Sequence, residues 1–231
     1  MNPRGPVLLA GATGLVGGQV LSRLLAGDAG PRVVAPVRRH PGPTHPRLAV
    51  VVAGFEPARD AALAADIAAA APRLSAFVCC LGTTLKAAGS REAFVAVDRG
   101  LVLRLAQIAR DLGADHAVLV SSVGASAQSG NFYLRVKGEA ERGIAAMGFR
   151  RVDVLRPGLL LGERRGSRPM ETLARTVAPV VNPLLRGRLG RYRAIAAAEV
   201  AAAAVALLDQ DAAGVLVHEH ASLHGLAAIS R

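Results

Sequence analysis

The chain has 231 residues, 52% hydrophobic, 3% aromatic and without tryptophan, so it can bury one substantial core, and Ala, Val and Leu must fill it. Its formal net charge of +11 favours anionic partners, but the arginines are dispersed and few adjoin aromatic residues, which argues against the stacking platform of a single-stranded nucleic-acid binder. No nucleic-acid partner is expected.

The first apolar run, VLLAG (7–11), is not read as a signal peptide, since glycines break it and no charged leader plus cleavage pattern accompanies it, and it leads straight into GATGLVG and a helical periodicity over 15–26. Glycine suits Gly11, Gly14 and Gly17 because such a turn bends sharply, brings backbone close to a pyrophosphate and lets helix meet sheet without a Cβ between them. The helix N-terminus behind it offers free N–H groups to phosphate oxygens. Strand, loop and helix in the first βα unit read as a dinucleotide-binding site. The second run, RVVAPV (32–37), ends in Arg38 and Arg39, where an acidic residue would hold the ribose 2′-hydroxyl of NAD(H). Two guanidinium groups match a 2′-phosphate instead, so NADP(H) is expected ahead of NAD(H).

LAVVVA (48–53) and AFVCCL (76–81) form the third and fourth runs, with helical segments at 57–71 and 91–112. Cys79 and Cys80 are the only cysteines; neighbours on a strand point to opposite faces, so they read as reduced, buried thiols of a cytoplasmic protein.

The fifth run, HAVLVSS (116–122), opens on His116, read as a satisfied surface histidine, and ends on Ser121 and Ser122. A serine hydroxyl at that strand end is placed to hydrogen-bond a substrate carbonyl; Ser122 is the first choice and Ser121 the alternative, since register decides between them. In YLRVKGE (133–139), Tyr133 and Lys137 are four apart and share a face of a helix expected over 134–147. With two tyrosines and two lysines in the whole chain, a YxxxK pattern arises by chance in about 2% of cases. An ammonium beside Tyr133 favours its phenolate, and lysine supplies a compact, rotatable donor for a ribose that arginine does not.

After VDVLRP (152–157) the pattern loosens: GERRGSRP (162–169) reads as a loop into a small C-terminal cap over 157–195. The run 194–208 reads as a soluble helix, too short to span a bilayer and carrying Glu199. His218, His220 and His224 crowd beside Glu219, but without HExxH helix geometry; no metal is expected, and a polar strand and turn is. The alternation of strands and helices implies one α/β domain over 1–231, a doubly wound parallel sheet with helices on both faces, binding ligands at the carboxyl ends of its strands.

TGxxG after the first strand, SSVGA after a later one and YxxxK opening the next helix make the sequence resemble the short-chain dehydrogenase/reductase superfamily. CCLGTT (79–84), VDRG (97–100), NFYLRVKGE (131–139) and RPGLLL with SRP (156–169) resemble its atypical branch, typified by the Tat-interacting-protein oxidoreductases. The resemblance implies a Rossmann-like fold binding NADPH, with Ser122, Tyr133 and Lys137 acting as a set. It assigns cofactor contacts to Gly11, Thr13, Gly14, Leu15 and Val16, to Arg38 and Arg39, to Leu81 and Gly82 on the adenosine and nicotinamide-ribose side, and to Leu160 and Arg168 over the nicotinamide end and the phosphates. Many relatives hold the adenine amine with an Asp where this chain has Gly54, so adenine recognition falls to backbone groups or packing. Little chain remains for the sugar-nucleotide domain of the extended epimerases.

The expected activity is NADPH-dependent reduction of a small-molecule carbonyl, Tyr133 giving the proton and Ser122 polarising the carbonyl. A second class stays open: a regulatory protein in which NADPH orders residues 157–190 and so exposes or hides a surface for a protein partner.

Overall fold

The computed structural model describes residues 5–39, 44–162, 185 and 187–229. Arg168 and most of the expected cap segment lie outside the described residues. The strands are β1 (Val7–Ala10), β2 (Val33–Val37), β3 (Leu48–Val52), β4 (Ala76–Cys79), β5 (His116–Val120), β6 (Arg151–Leu155), β7 (Leu160–Leu161), β8 (Ile195–Ala196) and β9 (Gly214–His218). Seven of them form one all-parallel sheet in the order β3-β2-β1-β4-β5-β6-β9, and β7 pairs with β8 beside it. β1, β2, β4, β5 and β6 are buried along their whole length, which is why each reads as an unbroken apolar run rather than an alternating one.

Helices cover both faces. On one lie α2 (Asp60–Ala70), α5 (Val102–Asp111) and α6 (Phe132–Ala145), burying Leu63, Ile67, Leu105 and Ile144 against Phe77 and Leu119. On the other lie α1 (Leu15–Leu25), α7 (Ala197–Leu207) and α8 (His220–Ile229), where Val20, Leu24 and Leu223 meet Leu9, Val78 and Leu155. Ala201, Ala203 and Ala204 are fully buried on α7, so this helix packs closely with no ring to fill the gap. Among the described residues no helix is long and apolar enough to cross a membrane.

The helix expected over 91–112 is interrupted. α3 (Leu85–Ala88) precedes α4 (Arg91–Val95), and a π-helical segment, Ala96–Leu101, joins α4 to α5. The widened turn buries Asp98 and Leu101 on the inner side. α6 starts two residues earlier than its periodicity indicates, because Asn131 caps it: the side-chain oxygen accepts from the Leu134 N–H at 3.1 Å.

Two histidine expectations are corrected. His116 is not at the surface but 4% exposed, with Nε2 2.7 Å from Asp153 Oδ2. The C-terminal histidines divide between the expected strand and a helix where a turn was expected: His218 closes β9, buried, with Nε2 2.7 Å from the other Asp153 oxygen, while His220 and His224 stack on α8. Arg151 adds hydrogen bonds to Asp153 from Nε and Nη2, at 2.5 and 2.9 Å. Burial alone would raise the Asp153 carboxyl, but the bonds from His116, His218 and Arg151 outweigh it and hold the group well below the usual carboxylate range.

Candidate functional site

The strand order reverses between β1 and β4, so a crevice opens at their carboxyl ends. Gly11 stands there at φ +83°, and a Cβ on it would lie 2.7 Å from the Cys80 carbonyl carbon. A Cβ on Gly17 would come within 2.0 Å of the Gly11 oxygen, so α1 reaches β1 only because position 17 has no side chain. Gly14 is the N-cap of α1 and makes no side-chain capping bond, which leaves the first-turn N–H groups to a ligand. Thr13 and Gly14 are exposed, Leu15 is half-buried and Val16 is buried, so Val16 offers the crevice its backbone and not its side chain. A glycine cradle under an uncapped helix end fits a pyrophosphate.

Arg38 and Arg39 follow β2 as exposed residues. Arg38 lines a cleft of about 580 Å³ with Gly54, Glu56 and Arg59. Glu56 Oε2 sits 2.3 Å from where a Cβ on Gly54 would be, so a carboxylate stands in the space that a side chain at 54 would fill. Arg59 and Glu56 were not singled out by sequence; only the turn after β3 brings them to Arg38.

The β4 strand end continues through Cys80, Leu81 and Gly82 toward α6. Burial pushes the Cys79 thiol up to about 11 and raises Cys80 as well, so neither is a thiolate at neutral pH. Leu81 is half-buried and Gly82 exposed, and a Cβ on Gly82 would lie 3.3 Å from Lys137 Nζ. Lys137 itself is buried and its Nζ is 2.7 Å from Asp98 Oδ1, a contact of charges not aligned as a hydrogen bond. The other Asp98 oxygen accepts from the Thr83 N–H at 2.9 Å. Asp98 therefore ties the β4 loop to the lysine, a role that VDRG alone does not display.

Tyr133 is in the first turn of α6, its ring 5.7 Å from that of Phe94, which is fully buried. Ser121 extends the β5 ladder by donating its N–H to the Leu155 oxygen at 2.8 Å, and its hydroxyl is buried with no partner among the described residues. Ser122 is half-buried, its Oγ 3.5 Å from the Val123 oxygen, too far for a firm bond. The loop after it packs on α6 through Gly138, where a Cβ would strike Ser126 at 2.2 Å. Ser122 and Tyr133 thus belong to one end of the sheet, on adjoining elements. Leu160, on β7, is partly buried near the glycine loop: Leu15 Cδ1 is 2.8 Å from the Cβ position of Gly162. Among the described residues no group of three or more metal-ligating side chains is placed to hold an ion.

No protein-family model matches the chain. It is 40% identical over 172 residues to "Protein fmp52, mitochondrial" of Emericella nidulans, which is 74% of each chain. It is 50% identical over 97 residues to "Protein HTATIP2" of Rattus norvegicus, covering 42% of this chain and 40% of that one. Among solved structures it superposes on a "Putative NAD-dependent epimerase/dehydratase from Bacillus halodurans" with a TM-score of 0.63 at 23% identity, over 97% and 99% of the two chains. The word mitochondrial in the name of the Emericella relative, shared by further Aspergillus relatives at 38–39% identity, overturns the cytoplasmic expectation. With 40% identity over about three-quarters of both chains, this chain belongs to the Fmp52 family.

Proposed function

We propose that the protein is an NADPH-dependent oxidoreductase that reduces a small carbonyl compound, and that it acts in the mitochondrion as its relatives' names state. The observation that carries the reading is the glycine cradle at the reversal of strand order, with Tyr133 and Lys137 on the helix at the same sheet end. Gly11, Gly14 and Gly17 would hold the pyrophosphate against the α1 N-terminus. Arg38, Arg39 and Arg59 supply cations for a 2′-phosphate, which favours NADPH over NADH. Glu56 offers an acceptor to the adenine amine in place of the missing Asp.

The dinucleotide, when bound, supplies the hydride. Tyr133 Oη then gives its proton to the carbonyl oxygen as that oxygen gains charge, and a serine hydroxyl donates to the same oxygen. Ser122 is the accessible hydroxyl of the two; Ser121 is the buried one. Lys137, one turn beyond Tyr133 on α6 and paired with Asp98, would supply a positive charge beside the tyrosine and donate to a ribose hydroxyl.

The test is a fluorescence titration with NADPH and NADH on the wild type and on Arg38→Ala/Arg39→Ala, followed by turnover with aldehydes, ketones and quinones. Expected are NADPH preference lost in the double variant, and reduction abolished by Tyr133→Phe with NADPH binding retained. Absence of binding by either dinucleotide sinks the proposal. NADPH binding with no turnover, and partner binding unaffected by Tyr133→Phe, would support the regulatory reading instead.

A further inference from the structure

A cavity of about 610 Å³ lies between the 3₁₀ turn Gly187–Tyr192 and the first turn of α8, lined among others by Arg191, Arg193, Glu219 and His220. That is a volume suited to a small organic ligand. We propose that this cavity receives an anionic group carried by the carbonyl substrate, so that the natural substrate is an acid bearing an aldehyde or ketone. The inference rests on the carbonyl-reducing reading of the neighbouring site.

Position supports it first. Arg191 lies over the Tyr192 ring at 5.0 Å, and its Nη2 donates to Tyr192 Oη at 3.3 Å. That hydroxyl is 4.0 Å from the Cβ position of Gly124, two residues beyond Ser122. Gly158 keeps the turn close to β6, since a Cβ there would lie 2.4 Å from the Arg193 oxygen. The Tyr192 hydroxyl is thus approached by the loop after Ser122 on one side and by Arg191, which lines the cavity, on the other.

Charge supports it second. Two guanidinium groups face a single carboxylate, and Glu219 Oε1 is 3.9 Å from Arg191 Nη1, beyond hydrogen-bond reach. Arg191 is about half exposed and not locked to that carboxylate, so a ligand anion can take the bidentate position. Arg193 is oriented by the bond from its Nε to the Leu185 oxygen at 2.8 Å. Burial first, then the nearby Arg193 and His224, lower the His220 imidazole below its ordinary value, against the opposing pull of Glu199. His220 and Ala221, the first residues of α8, line the cavity beside the two arginines.

The experiment uses two matched probes, 4-carboxybenzaldehyde and its methyl ester, with NADPH and the full chain. A parallel NMR titration of the His220 ring follows added terephthalate, which needs no turnover. The wild type should favour the acid in kcat/KM, and Arg191→Ala should cut the acid-to-ester ratio by roughly ten- to a hundredfold, the worth of a hydrogen bond to a charged group. Arg191→Glu should invert the ratio, and terephthalate should move the His220 titration to higher pH. Because Arg191 is exposed, both variants are expected to fold, which their melting curves check. An acid-to-ester ratio equal in all three proteins, or a His220 titration indifferent to terephthalate, overturns the proposal. Loss of NADPH binding with the His220 response intact would sink the reductase reading and still support the cavity as an anion site.

Discussion

Asp98→Asn keeps the shape of the side chain and an acceptor for the Thr83 N–H, but removes the charge facing Lys137. The pair is 8% exposed on the lysine side and 0% on the aspartate side, so solvent does little to relieve the ammonium left behind. Breaking a buried pair from one side costs about 3–5 kcal/mol. For 231 residues, an unfolding entropy of about 2.1 cal/mol/K per residue gives roughly 0.5 kcal/mol/K, so the Tm should fall by about 6–10 °C. Lys137→Met alone strands the carboxylate in the same way, and the double variant strands neither charge. The cycle should therefore show the two losses to be strongly non-additive, by about 3 kcal/mol or more, the cost of one stranded charge. Thermal and urea denaturation of the four proteins measure this directly. A loss below about 1 kcal/mol in Asp98→Asn, the size for exposed pairs, would refute the idea that Lys137 is held by charge.

Further outcomes follow from other contacts. Gly17→Ala should abolish NADPH binding and destabilise the fold, since its Cβ cannot sit 2.0 Å from the Gly11 oxygen, whereas Gly130→Ala, with nothing within 4 Å, should leave both nearly unchanged; titration and melting curves decide. Asp153 has a folded-state pKa below its unfolded value, so its contribution is complete above about pH 4 and is lost as pH falls through the folded value. Urea midpoints measured from pH 6 down to pH 3 should thus fall more steeply in the wild type than in Asp153→Asn. At neutral pH that variant should itself lose about 3–5 kcal/mol, because Arg151 is left buried without its counter-charge.

The strands were legible because parallel strands buried on both faces concentrate β-branched residues into unbroken runs, and the glycine loop because steric need leaves a mark at each position. Asp98, Asp153 and His116 were not. Asp153 meets its histidines across 37 and 65 residues of chain, and no local pattern announces such a meeting. His116 opens a strand, where exposure is the natural expectation, but β6 and β9 extend the sheet past it and close it in. α8 was missed since its run of small residues and three of the polar residues in HASLHGLAAI give a weak helical stripe. Glu56 was passed over because a carboxylate was sought at position 54 itself, and only the turn after β3 folds the Glu56 side chain back into that space.

These misses share a cause that bears on function. A core of Ala, Val and Leu packs densely but specifies position weakly, since small apolar groups are interchangeable. The buried polar contacts each require a particular partner, and each joins separate elements of the chain. Asp98 joins the β4 loop to α6, Asp153 joins β5, β6 and β9, and Glu141 on α6 takes two bonds from Arg156 after β6, at 3.0 and 2.5 Å. Two of these three tether α6, the helix that carries Tyr133 and Lys137. Double-mutant coupling should accordingly be larger between Asp98 and Lys137 than between any apolar pair of α6. If apolar pairs such as Ile144 with Leu105 couple as strongly, the helix is held by packing and the polar ties only decorate it.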